Sequence, residues 1–325
     1  MTAYTKRLQK VTAVLCTTAL LAGCAAGTSD NTEPAATTAP VKAITIEPTA
    51  AYQTMNGFGA SACWWSQEVG NWENAKDILS LLYDENSGIG LNIYRYNLGA
   101  GSKDDATITD PDRRAEAFID QDGSYHWERD AAAQNALALA KSMNEDLRVT
   151  LFSNSAPVFY TANGKAYCDY LPDDEKYVTN LELERYADFA KYSIACAKHF
   201  TEAGYRVTGL SPINEPEWSW RGYKDGTAKQ EGCYYSKTQC RDLYKVFLKQ
   251  MAQEDALKDC RLEGWESGHI GTDTCMAYLK TMFGKSGVNW LKNGALRKGM
   301  PTLALHSYWA GGEAGLRRRH SHHLR

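Results

Sequence analysis

The sequence lacks the features that announce metal, nucleotide or membrane chemistry. No CxxC pair and no HExxH segment occurs in its 325 residues, so the spacing that brings thiolates or imidazoles onto one ion is missing and no metal is assigned. The turn Gly57-Phe58-Gly59-Ala60-Ser61 lacks the third glycine of a dinucleotide loop and runs on into Cys63-Trp64-Trp65, which argues against a dinucleotide; no cofactor is read. The apolar run Val11–Leu21 is too short to span a bilayer. A net charge of -3 gives no basic field to gather nucleic acid or an anionic membrane. No internal repeat is evident.

The N-terminus carries Lys6, Arg7 and Lys10, then Val11–Leu21, then Leu21-Ala22-Gly23-Cys24. This order reads as an export signal, residues 1–23. The tetrapeptide resembles the bacterial lipobox, which implies cleavage before Cys24, lipidation of its thiol and display on the cell surface, with the membrane touched only through the lipid. Residues 24–41 are rich in Ala, Thr, Ser and Pro and read as a flexible tether. Of nine cysteines, Cys16 leaves with the signal and Cys24 is taken by lipid. The remaining seven cannot all pair internally; Cys233 with Cys240 is one possible local bridge, and spacing alone does not fix connectivity.

Short apolar runs alternate with longer helical patterns from there on, the signature of βα units and a parallel sheet. Strands are expected at Asn56–Ala60, Leu91–Asn97, Leu147–Ser153, Val207–Asn214, Arg261–Trp265 and Thr302–Ser307, and helices at Trp72–Tyr83, Arg129–Met143, Leu181–Ala203, Lys237–Glu254 and Thr272–Phe283. Tyr186, Phe189, Ala190 and Ile194 make one helical stripe. The fold class is α/β, a (β/α)8 barrel of about six units over residues 51–309, preceded at residues 42–50 by a strand of a side β-domain (Ala43–Glu47). A doubly wound open sheet is the competing architecture, disfavoured by the missing phosphate loop.

In such barrels functional groups gather at the C-terminal strand ends. There stands Ser211-Pro212-Ile213-Asn214-Glu215-Pro216-Glu217-Trp218, a carboxyl held between prolines. Cleaving a glycosidic bond needs a carboxylic acid to protonate the leaving oxygen, and an apolar wall, here Trp218 and Trp220, keeps such an acid protonated. The bland alternative is a turn with a surface Glu. The 9 Trp and 19 Tyr, several beside Gly, Asn and Ser, suit a ligand with flat apolar faces, and the charge balance suits a neutral polymer.

At these residues the chain resembles glycoside hydrolase family 30. Gln53-x-x-x-Gly57-Phe58-Gly59 with Trp64-Trp65, Arg95-Tyr96-Asn97-Leu98-Gly99, Asn154-Ser155-Ala156-Pro157, Asn214-Glu215-Pro216 and His306-Ser307-Tyr308 follow the family's order. The resemblance implies an eight-stranded barrel with a side β-sandwich and a retaining double displacement. It makes Glu215 the general acid/base and Asn214 a ligand for a sugar hydroxyl. Arg95 would hold the nucleophilic carboxylate ionised or form a structural ion pair. Tyr308 would bond nucleophile or substrate with His306 beside it, and Glu266 would contact substrate. Trp64, Trp65, Phe159, Trp218 and Trp220 are candidates for stacking sugars; Phe159 and Ala156 stand where relatives often carry Trp and Pro. The string Asn-Glu-Pro-Glu-Trp followed by Gln230-Glu231-Gly232-Cys233 looks most like the branch acting on β-1,6-galactan. Glucuronoxylan is less favoured, and sphingolipid and β-1,6-glucan are the other substrates in view.

The family's nucleophile, a Glu ending strand seven, is expected to be absent, because residues 310–325 give a Gly-rich turn containing Glu313 and then an Arg/His-rich tail that reads as out-of-frame translation or an expression scar. The expectation is therefore a truncated, inactive glycosidase with a polysaccharide partner. A non-catalytic carbohydrate-binding lipoprotein is the alternative.

Overall fold

The computed structural model describes residues 52, 54–173, 175–269, 272–283, 292–299 and 302–308. The signal, Cys24, the tether, the strand expected at Ala43–Glu47, Gln53, Trp309 and the tail lie outside the described residues. The chain divides into Met1–Thr54 and Met55–Arg325, and the second unit holds the sheet, its helices and the cleft.

Among the described residues six strands form one parallel sheet in sequence order: β1 (Gly59–Ser61), β2 (Ile93–Asn97), β3 (Arg148–Phe152), β4 (Arg206–Ser211), β5 (Arg261–Ser267) and β6 (Thr302–Leu305). Between them run helices α1 (Ser66–Val69), α2 (Ala75–Tyr83), α3 (Ala131–Met143), α4 (Tyr186–Glu202), α5 (Lys237–Met251), α6 (Asp273–Phe283) and α7 (Gly294–Gly299). Neighbouring parallel strands in unbroken order, each joined to the next through helix, make an incomplete (β/α)8 barrel.

Alternation along the strands sorts the side chains. Tyr94 and Tyr96 of β2, Val149 and Leu151 of β3, and Leu262 of β5 are buried in the core with the helices. Ile93 and Arg95, Thr150 and Phe152, and Glu263 of the same strands line the opposite, barrel-interior face. The register places Arg95 level with Ser61 and Thr150, and Thr150 level with Gly209. Gly209 leaves room there for the Glu263 carboxyl, which a Cβ, standing 2.2 Å from Oε1, would displace.

The stripe on α4 buries Tyr186, Phe189, Ala190, Ile194, Cys196, Ala197 and Phe200, and Phe189 meets Phe247 of α5 edge to face at 5.6 Å. α5 begins on a capping box: Ser236 Oγ accepts from Gln239 N at 3.3 Å, and Gln239 Oε1 accepts from Ser236 N at 2.8 Å. Several bounds differ from expectation, and the short helices α1 and α7 were not expected. β1 starts at Gly59: Phe58 is 67% exposed, and its N–H goes to the Asn92 side chain (Oδ1, 3.1 Å) rather than to a strand carbonyl. α7, with six residues bounded by Gly294 and Gly299, is too short to show a helical period.

Candidate active site

β4 ends at Ser211, and the next residues stay attached to β5 rather than leaving the sheet. Glu215 N donates to Glu266 O at 2.7 Å, Glu266 N donates to Ile213 O at 3.0 Å, and Asn214 pairs with Glu266 as a parallel bridge. Glu215 is thereby held at φ 45°, a left-handed conformation that costs a non-glycine residue energy and persists only where the surroundings fix it. Trp220, also left-handed at φ 48°, donates its indole N–H to Glu215 O at 2.8 Å.

Glu217 fastens the same loop from below. Its Oε1 accepts from Ser267 Oγ at 2.5 Å and from Gly268 N at 2.7 Å, and the residue is buried. Gly268 lies under the site, where an added Cβ would meet Trp218 Nε1 at 2.4 Å and Glu215 Cδ at 3.2 Å.

Three charged side chains then close a network around Glu215. Arg95 meets Glu266 twice, Nη2 to Oε2 at 2.5 Å and Nε to Oε1 at 3.3 Å, and it reaches Asn214 Oδ1 at 3.3 Å and Ser61 Oγ at 2.8 Å. Its guanidinium lies over the Phe152 ring, 3.1 Å from the centroid. His306, just past β6, spans two carboxylates: Nδ1 is 2.7 Å from Glu215 Oε1 and Nε2 is 3.0 Å from Glu266 Oε2. With an acceptor on each nitrogen, the ring is an imidazolium donating twice. Burial alone would push its pKa down, but the hydrogen bonds to Glu215 and Glu266 outweigh burial and raise it to about 9. Burial likewise pushes Glu266 up, and the Arg95 charge together with bonds from His306 and Arg95 reverses this and holds it below the ordinary carboxylate value. Deeper in the same cleft Glu263 goes the other way, pushed up to about 7 by burial and by the Glu266 charge.

These groups line an open cleft of about 1160 Å³, which takes in Asn214, Glu215, Arg95, Trp64, Trp220, Glu266, His306 and Tyr308 from the expected set. Tyr308 is 57% exposed at the rim, its ring edge-on to His306 at 5.3 Å. Trp218 lines a smaller adjoining pocket of about 220 Å³ with Glu215 and Trp220, and packs its ring edge against His269 at 4.8 Å.

Two expected residues are not brought to the cleft. Trp65 turns the other way from Trp64: its indole donates back to Ser61 O at 2.7 Å and its ring lies 6.4 Å from Tyr94, packed against the core as α1 begins. Phe159 sits in a 3-10 turn, Val158–Tyr160, with its ring 4.6 Å from Tyr160 and packed on the same core. The possible local bridge does not form either; Cys240 Sγ turns to Tyr235 O at 3.9 Å.

The cleft also holds residues that sequence reasoning did not nominate. Phe152 and Glu263 could have been found from strand alternation opposite Val149, Leu151 and Leu262. Asn154 lies in a quoted segment just past β3 and donates to Asn97 Oδ1 at 3.1 Å. Arg113 and Lys229 come from long loops with no period to betray them. Among the described residues no group of three or more His, Cys, Asp or Glu side chains has metal-holding geometry.

Comparison with known proteins places this arrangement. The sequence profile of O-glycosyl hydrolase family 30 matches residues 41–309. An endo-beta-1,6-galactanase from Hypocrea rufa is 30% identical over 218 residues, covering 59% of this chain and 43% of that protein. An exo-beta-1,6-galactobiohydrolase from Bifidobacterium longum subsp. longum is 27% identical over 240 residues, covering 55% of this chain and 16% of that protein. The crystal structure of a conserved exported protein from Bacteroides fragilis superposes with a TM-score of 0.70 at 26% identity, over 82% of this chain and 55% of that one. The chain thus spans less than half the length of the curated relatives it matches. The family match extends over most of the sequence and carries β1 through β6, so the chain belongs to O-glycosyl hydrolase family 30.

Proposed function

We propose that this chain is part of a retaining endo-β-1,6-galactanase, with Glu215 as its general acid/base. The observation that carries the reading is the strained placement of Glu215. Backbone bonds to β5 and the Trp220 indole hold its carboxyl at the mouth of the barrel, beside a half-buried tryptophan and within a set of hydrogen-bonding side chains. Glycosyl transfer to water by retention needs two carboxyl groups about 5–5.5 Å apart, one to protonate the leaving oxygen and one to attack the anomeric carbon. Glu215 supplies the first. The second, by family resemblance, ends strand seven, outside the described residues.

The remaining groups then have defined work. Glu266, kept ionised by Arg95 and His306, accepts from a substrate hydroxyl, and the Asn214 amide reads the hydroxyl next to the cleaved bond. Trp64 and Trp220 offer faces for sugar rings. The choice of β-1,6-galactan over β-1,6-glucan or xylan is supported by the galactan-acting relatives at 30% and 27% identity. The lipid anchor read at Cys24 would keep the enzyme on the cell surface with its polymer substrate.

The test is hydrolysis of β-1,6-galactan, β-1,6-glucan and glucuronoxylan by the protein with its complete barrel. Preference for galactan, lost in Glu215→Gln, supports the proposal. Equal or better rates on glucan or xylan would remove the galactanase reading, and oligosaccharide binding with no turnover on any of them would favour a binding protein.

A further inference from the structure

The long loops after β3 (residues 153–185) and β4 (residues 212–236) form one wall of the cleft, and their backbones are knitted together. Cys168 N donates to Trp220 O at 2.9 Å, Gly222 N to Cys168 O at 2.8 Å, and Gly232 N to Ala166 O at 2.8 Å. At this seam two cysteines face each other. Tyr234 N donates to Cys168 Sγ at 3.4 Å, which sets that sulfur against the peptide following Cys233, while Cys233 Sγ lies 3.6 Å from Tyr234 O and 3.6 Å from Thr179 Oγ1. Both residues are buried, at 3% and 0% exposure.

We propose that Cys168 and Cys233 form a disulfide that clamps the two loops and fixes the Trp220 wall of the cleft. A bond requires that the side chains already point at one another at close range, because a disulfide tolerates little departure from its own geometry. The backbone seam and the bond from Tyr234 N to Cys168 Sγ bring the two residues together in the way that condition requires. Either thiol of the pair can lead the exchange, and the steps are the same with the two interchanged.

The chemistry is exchange with a small disulfide such as oxidised glutathione, met while the loops are still open. Cys233 loses its proton and attacks one reagent sulfur, forming a mixed disulfide and releasing one reagent thiol. Cys168 then loses its proton, attacks Cys233 Sγ and expels the second reagent thiol. Two protein thiols become one S–S bond, and the reagent disulfide is reduced to two thiols that take up both protons. The bond closes a loop of about 65 residues, which restricts the unfolded chain and raises the melting midpoint by roughly 5–10 °C.

The test refolds the full chain in a glutathione redox buffer, alkylates it with iodoacetamide in denaturant and maps the non-reduced digest by mass spectrometry, with Cys196 as an internal control for alkylation. The expected result is a Cys168–Cys233 linked peptide that disappears on treatment with dithiothreitol. Complete alkylation of both residues would overturn the proposal, as would Cys233 linked to any other cysteine. Cys168→Ser should melt at the reduced protein's temperature whether or not oxidant is present. A midpoint that still rises on oxidation in that variant would refute the clamp, and the peptide map of the unsubstituted chain decides the pairing if the variant does not fold.

Discussion

Glu215 shows how much a single residue's position depends on its neighbours. Its conformation is unfavourable by itself, and the bonds to Glu266 O and from Trp220 Nε1, with Gly268 beneath, leave it no other place. Gly268→Ala should therefore displace Trp218 and the Glu215 carboxyl together. The expected outcome is loss of activity by roughly 10-fold or more with a shifted tryptophan fluorescence; unchanged kinetics would mean that the loop accommodates a methyl group. Arg95 offers a second prediction. Glu266 has a side chain only 5% exposed, and removing Arg95 leaves this buried carboxylate to His306 alone, so Arg95→Ala should cost about 1.5–3 kcal/mol, measured by denaturant unfolding. Arg95→Lys should recover only part of this, because an ammonium cannot meet Glu266, Asn214 and Ser61 in one plane. At this scale the sequence showed which side chains matter when an unusual string marked them, as at Asn214-Glu215-Pro216. It was blind to direction: Trp64 and Trp65 are chemically identical neighbours, and only the bond from Trp65 Nε1 to Ser61 O sends one into the core.

The elements were more legible than the side chains. All six strands and the five long helices lie where apolar runs and helical stripes indicate, because burial on both faces of a parallel sheet leaves continuous apolar segments and each helix buries one side. What escaped was short or local. α7 is less than two turns long, and the 3-10 turn carrying Phe159 has no periodic signature at all. Helix ends are encoded by single residues, and α5 is the clearest case. Ser236→Ala removes one half of its capping box and should lower stability by about 1 kcal/mol, seen as a drop of a few degrees in the melting midpoint with helical circular dichroism otherwise kept. No change in midpoint would show that tertiary packing alone holds this end. Because α5 follows directly on the loop bearing Glu215 and Trp220, the same cap also anchors one end of the cleft wall.

For the molecule as a whole, buried acids set the response to pH. Asp130, Glu231 and Glu263 are each pushed up to about 7, in every case chiefly by burial, and His306 is raised to about 9 by its two carboxylates against the effect of burial. Between the unfolded and folded values of each group, the folded chain binds the proton that the unfolded chain has released, so stability falls as pH rises. For the three acids the loss runs from about pH 4 to 7, and for His306 from about 6.5 to 9. Glu266 acts in the opposite sense, its contribution being lost as pH falls through its lowered value. The melting midpoint should therefore be higher at pH 5 than at pH 8, by roughly 5–10 °C; a midpoint that rises between them would contradict the protonation states assigned to these groups. None of this was visible in a net charge of -3, since the balance depends on which few acids the barrel buries. The catalytic role proposed for Glu215 is decided by the rate of reducing-end release from linear β-1,6-galactan by the complete barrel, unsubstituted and as Glu215→Gln. Endo-type products are expected, with kcat falling by about 10²–10⁴-fold in the variant while galactan still binds. Undiminished turnover in Glu215→Gln would mean that another group protonates the leaving oxygen.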